Sequence, residues 1–129
     1  MSVGISEQRK DALEKVLGKA RFASDYYYPD MLYGCTFRSP KPHIRIKSIQ
    51  TSEAEKEHGV IKILTYKDIP GKNFIPLVFP DYPCLAEKKA QFAGQAIALV
   101  IADSAENARS AMKKIKLDYE ELPAVFDPL

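Results

Sequence analysis

The sequence has no tryptophan, two histidines and two cysteines among its 129 residues. His43 sits in a proline-flanked loop and His58 at the end of a short glutamate-rich helix, and neither belongs to an HExxH or CxxC pattern with metal-ligand spacing. A metal site is therefore not expected. Neither GxSxG nor GxxxxGKS is present, which removes the usual nucleophile elbow and phosphate loop. No apolar run approaches the ~20 residues that span a bilayer. The opening MSVGISEQRKDALEKVLGK carries charges where a signal peptide needs an apolar core. Secretion and membrane insertion are not expected, and a cytoplasmic location follows, in which Cys35 and Cys84 stay reduced as small buried hydrophobes. An excess of one charge is also missing. Nineteen basic against 17 acidic residues leave a net +2, without the basic stripe that nucleic-acid binding requires.

What is present is an ordinary globular composition, 46% apolar and 28% charged. The length suits one domain with a real core. Residues 1–17 read as a charged lead-in with a weak helical stripe at Ala12, Leu13 and Val16, ended by Gly18. A single domain over 18–129 follows, opening with a short strand at Lys19 to Ser24. Leu32 to Arg38 has the aromatic and β-branched character of a strand, with Tyr33, Cys35 and Phe37 on one face. Ser39-Pro40-Lys41-Pro42 must be a loop, because two close prolines cannot donate to a ladder. Ile44 and Ile46 alternate with Arg45 and Lys47 as a second strand, running to Ile49. Ser52 and Glu55 form a capping box for a short helix ending at His58 and Gly59. Val60 to Tyr66 is a strand apolar on both faces.

The second half reads as a repeat of that order: a strand at Lys88 to Phe92, the apolar strand Gln95 to Ala102, a helix, and a strand from Ile115. Asp103 or Ser104 caps the helix, with Glu106 completing a box with Asp103. Ala105, Ala108, Met112 and Ile115 share one helical face, and Ile115, Leu117 and Tyr119 alternate with charges. The expected order is roughly ββαβ-ββαβ, an α+β fold with a mixed sheet and two helices. Asp68 to Pro83, with four prolines, is a long irregular connection of the kind that is functional or pinned by a partner.

Several residues invite a chemical role, and each has a plainer one. Gly94 is a turn or bulge opening the central strand. Glu120 and Glu121 are a solvated strand end, and Glu53, Glu55 and Glu57 a solvated helix face. His58 complements the negative end of its helix. Tyr26, Tyr27 and Tyr28 cover an apolar surface, with a stacking platform as the alternative. No catalytic, cofactor-binding or metal-binding residue is expected.

Five phrases nevertheless follow a known order. Asp11-Ala12-Leu13-Glu14-Lys15-Val16, with Gly18-Lys19-Ala20-Arg21-Phe22 and Asp25, resembles the opening of molybdenum-hydroxylase large subunits, the family of xanthine dehydrogenase and aldehyde oxidase. Leu32-Tyr33-Gly34 and Arg38-Ser39-Pro40 follow, then His43, Ile44 and Ile46 at the position of an S-x-x-A-H-A-x-I phrase. Gly59-Val60, Leu64-Thr65 and Asp68-Ile69-Pro70-Gly71 resemble the family's GV…LT..DIPG segment. Phe92, Gly94-Gln95, Ala98 and Val100, with the alanine-rich helix through Tyr119, Leu122 and Pro123, resemble its GQ-x-V/I-A-x-V-V element. Pro42 and Leu17 depart from the pattern, standing where a small residue and threonine are usual.

The resemblance covers about residues 8 to 127 and implies an α/β-hammerhead domain, the N-terminal domain of the subunit that holds molybdopterin. It implies a parent that hydroxylates an electron-poor carbon of a heterocycle or aldehyde with oxygen from water. Electrons would leave molybdenum through iron–sulfur clusters and FAD. The family's pterin contacts and catalytic glutamate lie further along, with no positions here to receive them. The match begins within ten residues of Met1, so a parent that starts with this domain is expected, with Fe-S and FAD subunits separate. Leu129 falls where the next domain would begin, so the chain is expected to be an inactive fragment whose partners are the remaining molybdopterin-binding domains. On that view Tyr26 to Tyr28 and the Asp68 to Pro83 loop are covered in the enzyme, and exposed here they favour self-association. The rival reading is a stand-alone α+β ligand- or protein-binding module, marked by a concave pocket at those tyrosines. A small independent enzyme is a third.

Overall fold

The computed structural model describes residues 3–4, 6–76 and 79–127. Its contacts divide the chain after Met31 into two units.

The first unit contains one short helix, α1 (Ala12–Val16). Arg9 and Lys15 both reach the Asp11 carboxylate, each at 2.5 Å. Gly18, at φ +67, turns the chain so that the amides of Lys19 and Ala20 both donate to the Glu14 carbonyl. The strand expected over Lys19 to Ser24 is absent. Ala23–Asp25 forms a single 3-10 turn in its place, because the Asp25 carboxylate accepts from the Phe22 amide at 2.9 Å and curls the backbone. None of the described residues here is buried, and Tyr26, Tyr27 and Tyr28 are all exposed.

The second unit holds β1 (Tyr33–Arg38), β2 (Ile44–Gln50), β3 (Val60–Leu64), β4 (Lys89–Ala90), β5 (Ala96–Ala102), α2 (Ala105–Met112) and β6 (Lys116–Glu121). The α+β class and the strand positions agree with the sequence, and two corrections are needed. One mixed sheet does not form. The strands make two three-stranded sheets, β1-β5-β3 and β4-β2-β6, and every pairing is antiparallel. The run from Ser52 to His58 is a series of turns. Thr51, rather than Ser52, holds it, accepting the Glu55 amide through its carbonyl and donating its hydroxyl to Glu55 Oε1. Only the Glu55 bond spans four residues; those that follow, Glu57 to Ala54 and Val60 to Glu57, span three and close separate turns, and Ala54 is the only buried side chain among the seven.

The sheet orders are interlocked. β1 and β3, from the first half, flank β5 from the second; β4 and β6, from the second, flank β2 from the first. Each half lends its middle strand to the other. The unit β5-α2-β6 therefore crosses from one sheet to the other and needs no parallel pairing.

Three bulges explain side chains that break strand alternation. In β2 the register slips between Ile46 and Ser48, which brings Ile49 to the same face as Ile44 and Ile46. In β5 the extra residue is Ile97, so Ile97 and Ala98 are both fully buried on opposite faces. In β3 it is Ile61, which is left 60% exposed while Val60 and Ile63 face the core.

α2 packs across β1 and β5 through Ala108 and Ala111, whose small side chains let the axis approach Ala98 and Val100. Its cap is Ser104, whose Oγ accepts the Asn107 amide at 3.2 Å. Asp103 accepts from the Asn107 side chain at 2.8 Å, so the expected box between Asp103 and Glu106 does not form. The second core cluster joins Ile44, Ala86, Ala90 and Ile97, and Phe37 and Ile49 touch both clusters.

Candidate interaction surface

The ionisable side chains singled out in the sequence are separated and bound to surface partners. Glu57 meets Lys114 at 2.6 Å and Glu53 meets Lys116 at 2.9 Å, so the glutamates of the 51–58 turns are tethers to the end of α2 and the start of β6. They are not a helix face. Glu120 and Glu121 pair with Arg45 and Lys41, each at 2.9 Å, across the sheet and its loop. His58 is exposed and has no helix end to complement. Cys35 lies 3.4 Å from the sulfur of Met112 under α2, whereas Cys84 is exposed, contrary to the expectation that both are buried; both are free.

The displaced titrations have the same character. The Lys116 ammonium holds the Glu53 carboxyl below its usual range, and the Thr65 amide does so for Asp68. Lys15, then Arg9, lower Asp11, and Glu121 raises Lys41. Each charged form is stabilised, so these groups resist giving up or taking a proton at neutral pH. Among the described residues no cluster of three His, Cys, Asp or Glu side chains could hold a metal.

The surface is more distinctive around the start of β5. The turn at Gly94 (φ +86) is fixed by its own amide on the Ser39 carbonyl and by Arg38 Nη1 on its carbonyl at 2.8 Å. Gln95 follows, its carbonyl accepting from the Ser39 amide and its side chain 2% exposed. Phe92, just before the turn, stacks on Tyr82 with ring centroids 6.1 Å apart and planes at 13°. Tyr82 is carried there by a loop closed by Ile75 N to Tyr82 O at 2.8 Å. Asn73 clamps the base of that loop, donating to the Leu85 carbonyl and accepting from its amide, as a paired strand would. Leu77 and Val78, part of the Asp68 to Pro83 connection, lie outside the described residues.

Three cavities adjoin this framework. A cleft of about 250 Å³ lies among Asn73, Pro80, Asp81, Lys88 and Gln95. A hollow of about 460 Å³ lies among Pro42, His43, Phe92, Pro123 and Phe126, where His43 Nδ1 donates to the Pro123 carbonyl at 2.7 Å. An open groove of about 730 Å³ runs between β2 and β3, past Ile46, Ile49, Ile61 and Ile63. Tyr26 to Tyr28 line none of the three. Phe92 and Gln95 stood out in the sequence only as part of the family phrase around Gly94, with no role attached, and nothing there announced the Tyr82–Phe92 stack.

The family described as "Aldehyde oxidase and xanthine dehydrogenase, a/b hammerhead domain" matches residues 17–123. The large molybdopterin subunit of nicotinate dehydrogenase from Eubacterium barkeri is 44% identical over 96% of this chain and 29% of that subunit. Xanthine dehydrogenase 1 of Arabidopsis thaliana is 39% identical over 97% of this chain and 9% of that one. The crystal structure of aldehyde oxidoreductase from Desulfovibrio desulfuricans superposes with a TM-score of 0.83 at 41% identity, over 89% of this chain and 14% of that one. Reconstituted CO dehydrogenase from Oligotropha carboxidovorans gives a TM-score of 0.88 at 34% identity, over 97% and 16%. The chain thus spans less than a third of the length of each of these proteins.

Proposed function

The chain belongs to the aldehyde oxidase and xanthine dehydrogenase family, as its a/b hammerhead domain, and on that basis we propose that it is a structural domain of a molybdopterin-dependent hydroxylase. The observation that carries this reading is the 44% identity to a large molybdopterin subunit over 96% of this chain but 29% of that subunit. The parent reaction is hydroxylation of an N-heterocycle or aldehyde with oxygen from water, and this chain braces the parts that perform it.

Molybdopterin does not fit the described residues. The cleft of about 250 Å³ sets Asp81 and Glu87 against Lys88 and Lys89, which leaves no surplus of positive charge for an anionic pterin phosphate. The larger groove is walled by isoleucines and sets Glu55, Asp68 and Glu87 against Lys47, Lys62 and Lys67, with Lys62 already paired to Asp68, so it too lacks a surplus of positive charge. No chemical step is assigned to this chain. The molybdenum cofactor is held by the other domains of the large subunit, and iron–sulfur and FAD groups by partner subunits. No described helix is long and apolar enough to cross a membrane, and a cytoplasmic location accords with that.

The test is metal analysis and turnover of the purified chain. We expect no bound molybdenum and no oxidation of nicotinate, xanthine or benzaldehyde with a dye acceptor. Molybdenum bound in stoichiometric amount, or turnover above the buffer rate, overturns the reading.

A further inference from the structure

The side chain of Gln95 has a donor with nothing to donate to. Its Oε1 accepts from the Gln91 amide at 2.6 Å. An amide N–H can only donate, so the oxygen is fixed on that side and Nε2 points the other way. Nε2 has no hydrogen-bond partner among the described residues. No fully buried side-chain nitrogen or oxygen among them lacks a partner, so Nε2 keeps the small remnant of solvent contact that Gln95 retains. Of the three cavities, only the cleft of about 250 Å³ is lined by Gln95, and Nε2 is the one hydrogen-bonding atom of that side chain left without a partner. The backbone around it is rigid, because Ser39 holds both Gly94 and Gln95. A buried donor facing an acceptor-sized space recognises an acceptor.

The surroundings select the kind of acceptor. Asp81 and Glu87 set two negative charges against Lys88 and Lys89 at the rim, so no free anion or cation is favoured. The cleft is smaller than the ~300 Å³ at which small-molecule sites begin. Gln91 lies in the same wall, and Phe92 next to it carries the Tyr82 stack at 42% and 41% exposure. An aromatic pair beside a buried donor, inside a charge-balanced rim, has the anatomy of a protein–protein contact centre.

We propose that this cleft receives a main-chain carbonyl of a partner polypeptide on Gln95 Nε2, with the neighbouring apolar side chain of that partner against Tyr82 and Phe92. The partner is the remainder of the molybdopterin-binding large subunit. This identification rests on the family reading above, in which the matched region occupies 29% or less of the relatives' chains.

The test uses the chain labelled with ¹⁵N at glutamine. The probe is the Eubacterium barkeri nicotinate dehydrogenase large subunit, produced without its own hammerhead segment. Binding is expected to move the side-chain amide pair of Gln95 and slow its exchange with water. Gln95→Glu keeps an oxygen for the Gln91 amide but replaces the donor with an acceptor, and is expected to bind at least about tenfold more weakly. If the wild-type chain fails to bind a probe that circular dichroism shows to be folded, the assignment of the partner is overturned, while family membership, which rests on the match over residues 17–123, stands. If it binds while the Gln95 signals stay in place, only the cleft assignment is overturned. The same movement on concentrating the chain alone would make a second copy the occupant and also overturns it. Because the wild-type signals are read directly, the test decides even where Gln95→Glu lowers stability.

Discussion

His43 Nδ1 lies 2.7 Å from the carbonyl oxygen of Pro123, and the His43 carbonyl accepts the Leu122 amide at 3.0 Å. One residue thus fastens the segment after β6 to the start of β2 through both its backbone and its ring. The carbonyl can only accept, so Nδ1 carries the proton and Nε2 is the free position. His43→Ala should leave the backbone bond and remove the other, lowering stability by about 1 kcal/mol or less for so exposed a contact. His43→Asn, whose side-chain amide can reach the same carbonyl, should restore part of the loss. Thermal melts of the three proteins check this; equal loss in both variants would mean that the ring packs without bonding.

Gly59 and Gly94 both need a left-handed backbone, at φ +75 and +86, but differ in surroundings. A Cβ on Gly59 would collide with Asp103 and with Asn107, the pair that organises the start of α2, whereas one on Gly94 meets nothing within 4 Å. Gly94→Ala should cost the conformational penalty alone, ~1–2 kcal/mol. Gly59→Ala adds overpacking, for a sum on the order of 2–5 kcal/mol. Urea denaturation distinguishes them, and equal midpoints would refute the collision.

Gly94 was readable as a turn and Gly59 as a helix cap, though that helix does not form, because φ preference is a local property. Leu117 and Tyr119 do share a face, but Ile115, expected beside them, packs in the other core cluster. Alternation says which face a residue occupies but not which strand lies beside it. Nothing in Lys116–Glu121 announces β2 as its neighbour in place of β5, and the mixed-sheet expectation failed there. The bulges at Lys47, Ile61 and Ile97 come from the same long-range pairing. Gln95 stood out only within the Gly94-Gln95 phrase, and its burial was not readable because it depends on the Ser39 loop folding over it. The family phrases carried what local physics could not.

Acid should weaken the fold through Glu53 and Asp68. Both carboxyls have folded pKa values below their ordinary 4.5 and 3.8, held there by Lys116 and by the Thr65 amide. Their contribution is present above those ordinary values and is lost as pH falls through the lower folded ones. Lys41 has the opposite sign: Glu121 raises it, so its contribution holds below 10.5 and is lost as pH rises through the folded value. Stability should be level between these limits. Glu53→Gln should shrink the acid limb, and 1 M salt should shrink it further. Urea midpoints between pH 7 and 3 test this; an acid limb identical in Glu53→Gln would exclude the Lys116 pair as its source.

The alanine face of α2 should tolerate little added volume. Ala111 is fully buried against Ala98, Val100 and Ile63, and a leucine there must push the helix off the sheet. Ala111→Leu is expected to cost about 1–3 kcal/mol. Ser104→Ala, which removes the cap on Asn107, should cost ~1 kcal/mol without moving the helix axis. Near-ultraviolet circular dichroism separates them, changing in Ala111→Leu and not in Ser104→Ala. A stable Ala111→Leu with native spectra would show the helix to be loosely seated.

Cutting the chain should test the interlocked sheets most directly. β1 and β3 both pair with β5 and not with each other, so two interstrand spacings of ~4.8 Å separate them. Without the second half both β5, which joins them, and α2, which covers them, are gone, and they are left as lone strands. β4 and β6 stand in the same relation to β2. Residues 1–71 and 72–129, split at the exposed Gly71 where a Cβ meets nothing, should each lack sheet structure alone, since neither keeps three neighbouring strands. Mixed, they should recover the far-ultraviolet spectrum of the intact chain and melt in one transition, because every sheet then contains strands of both pieces. A folded signal from either piece by itself would mean that the middle strands are not required where the topology puts them.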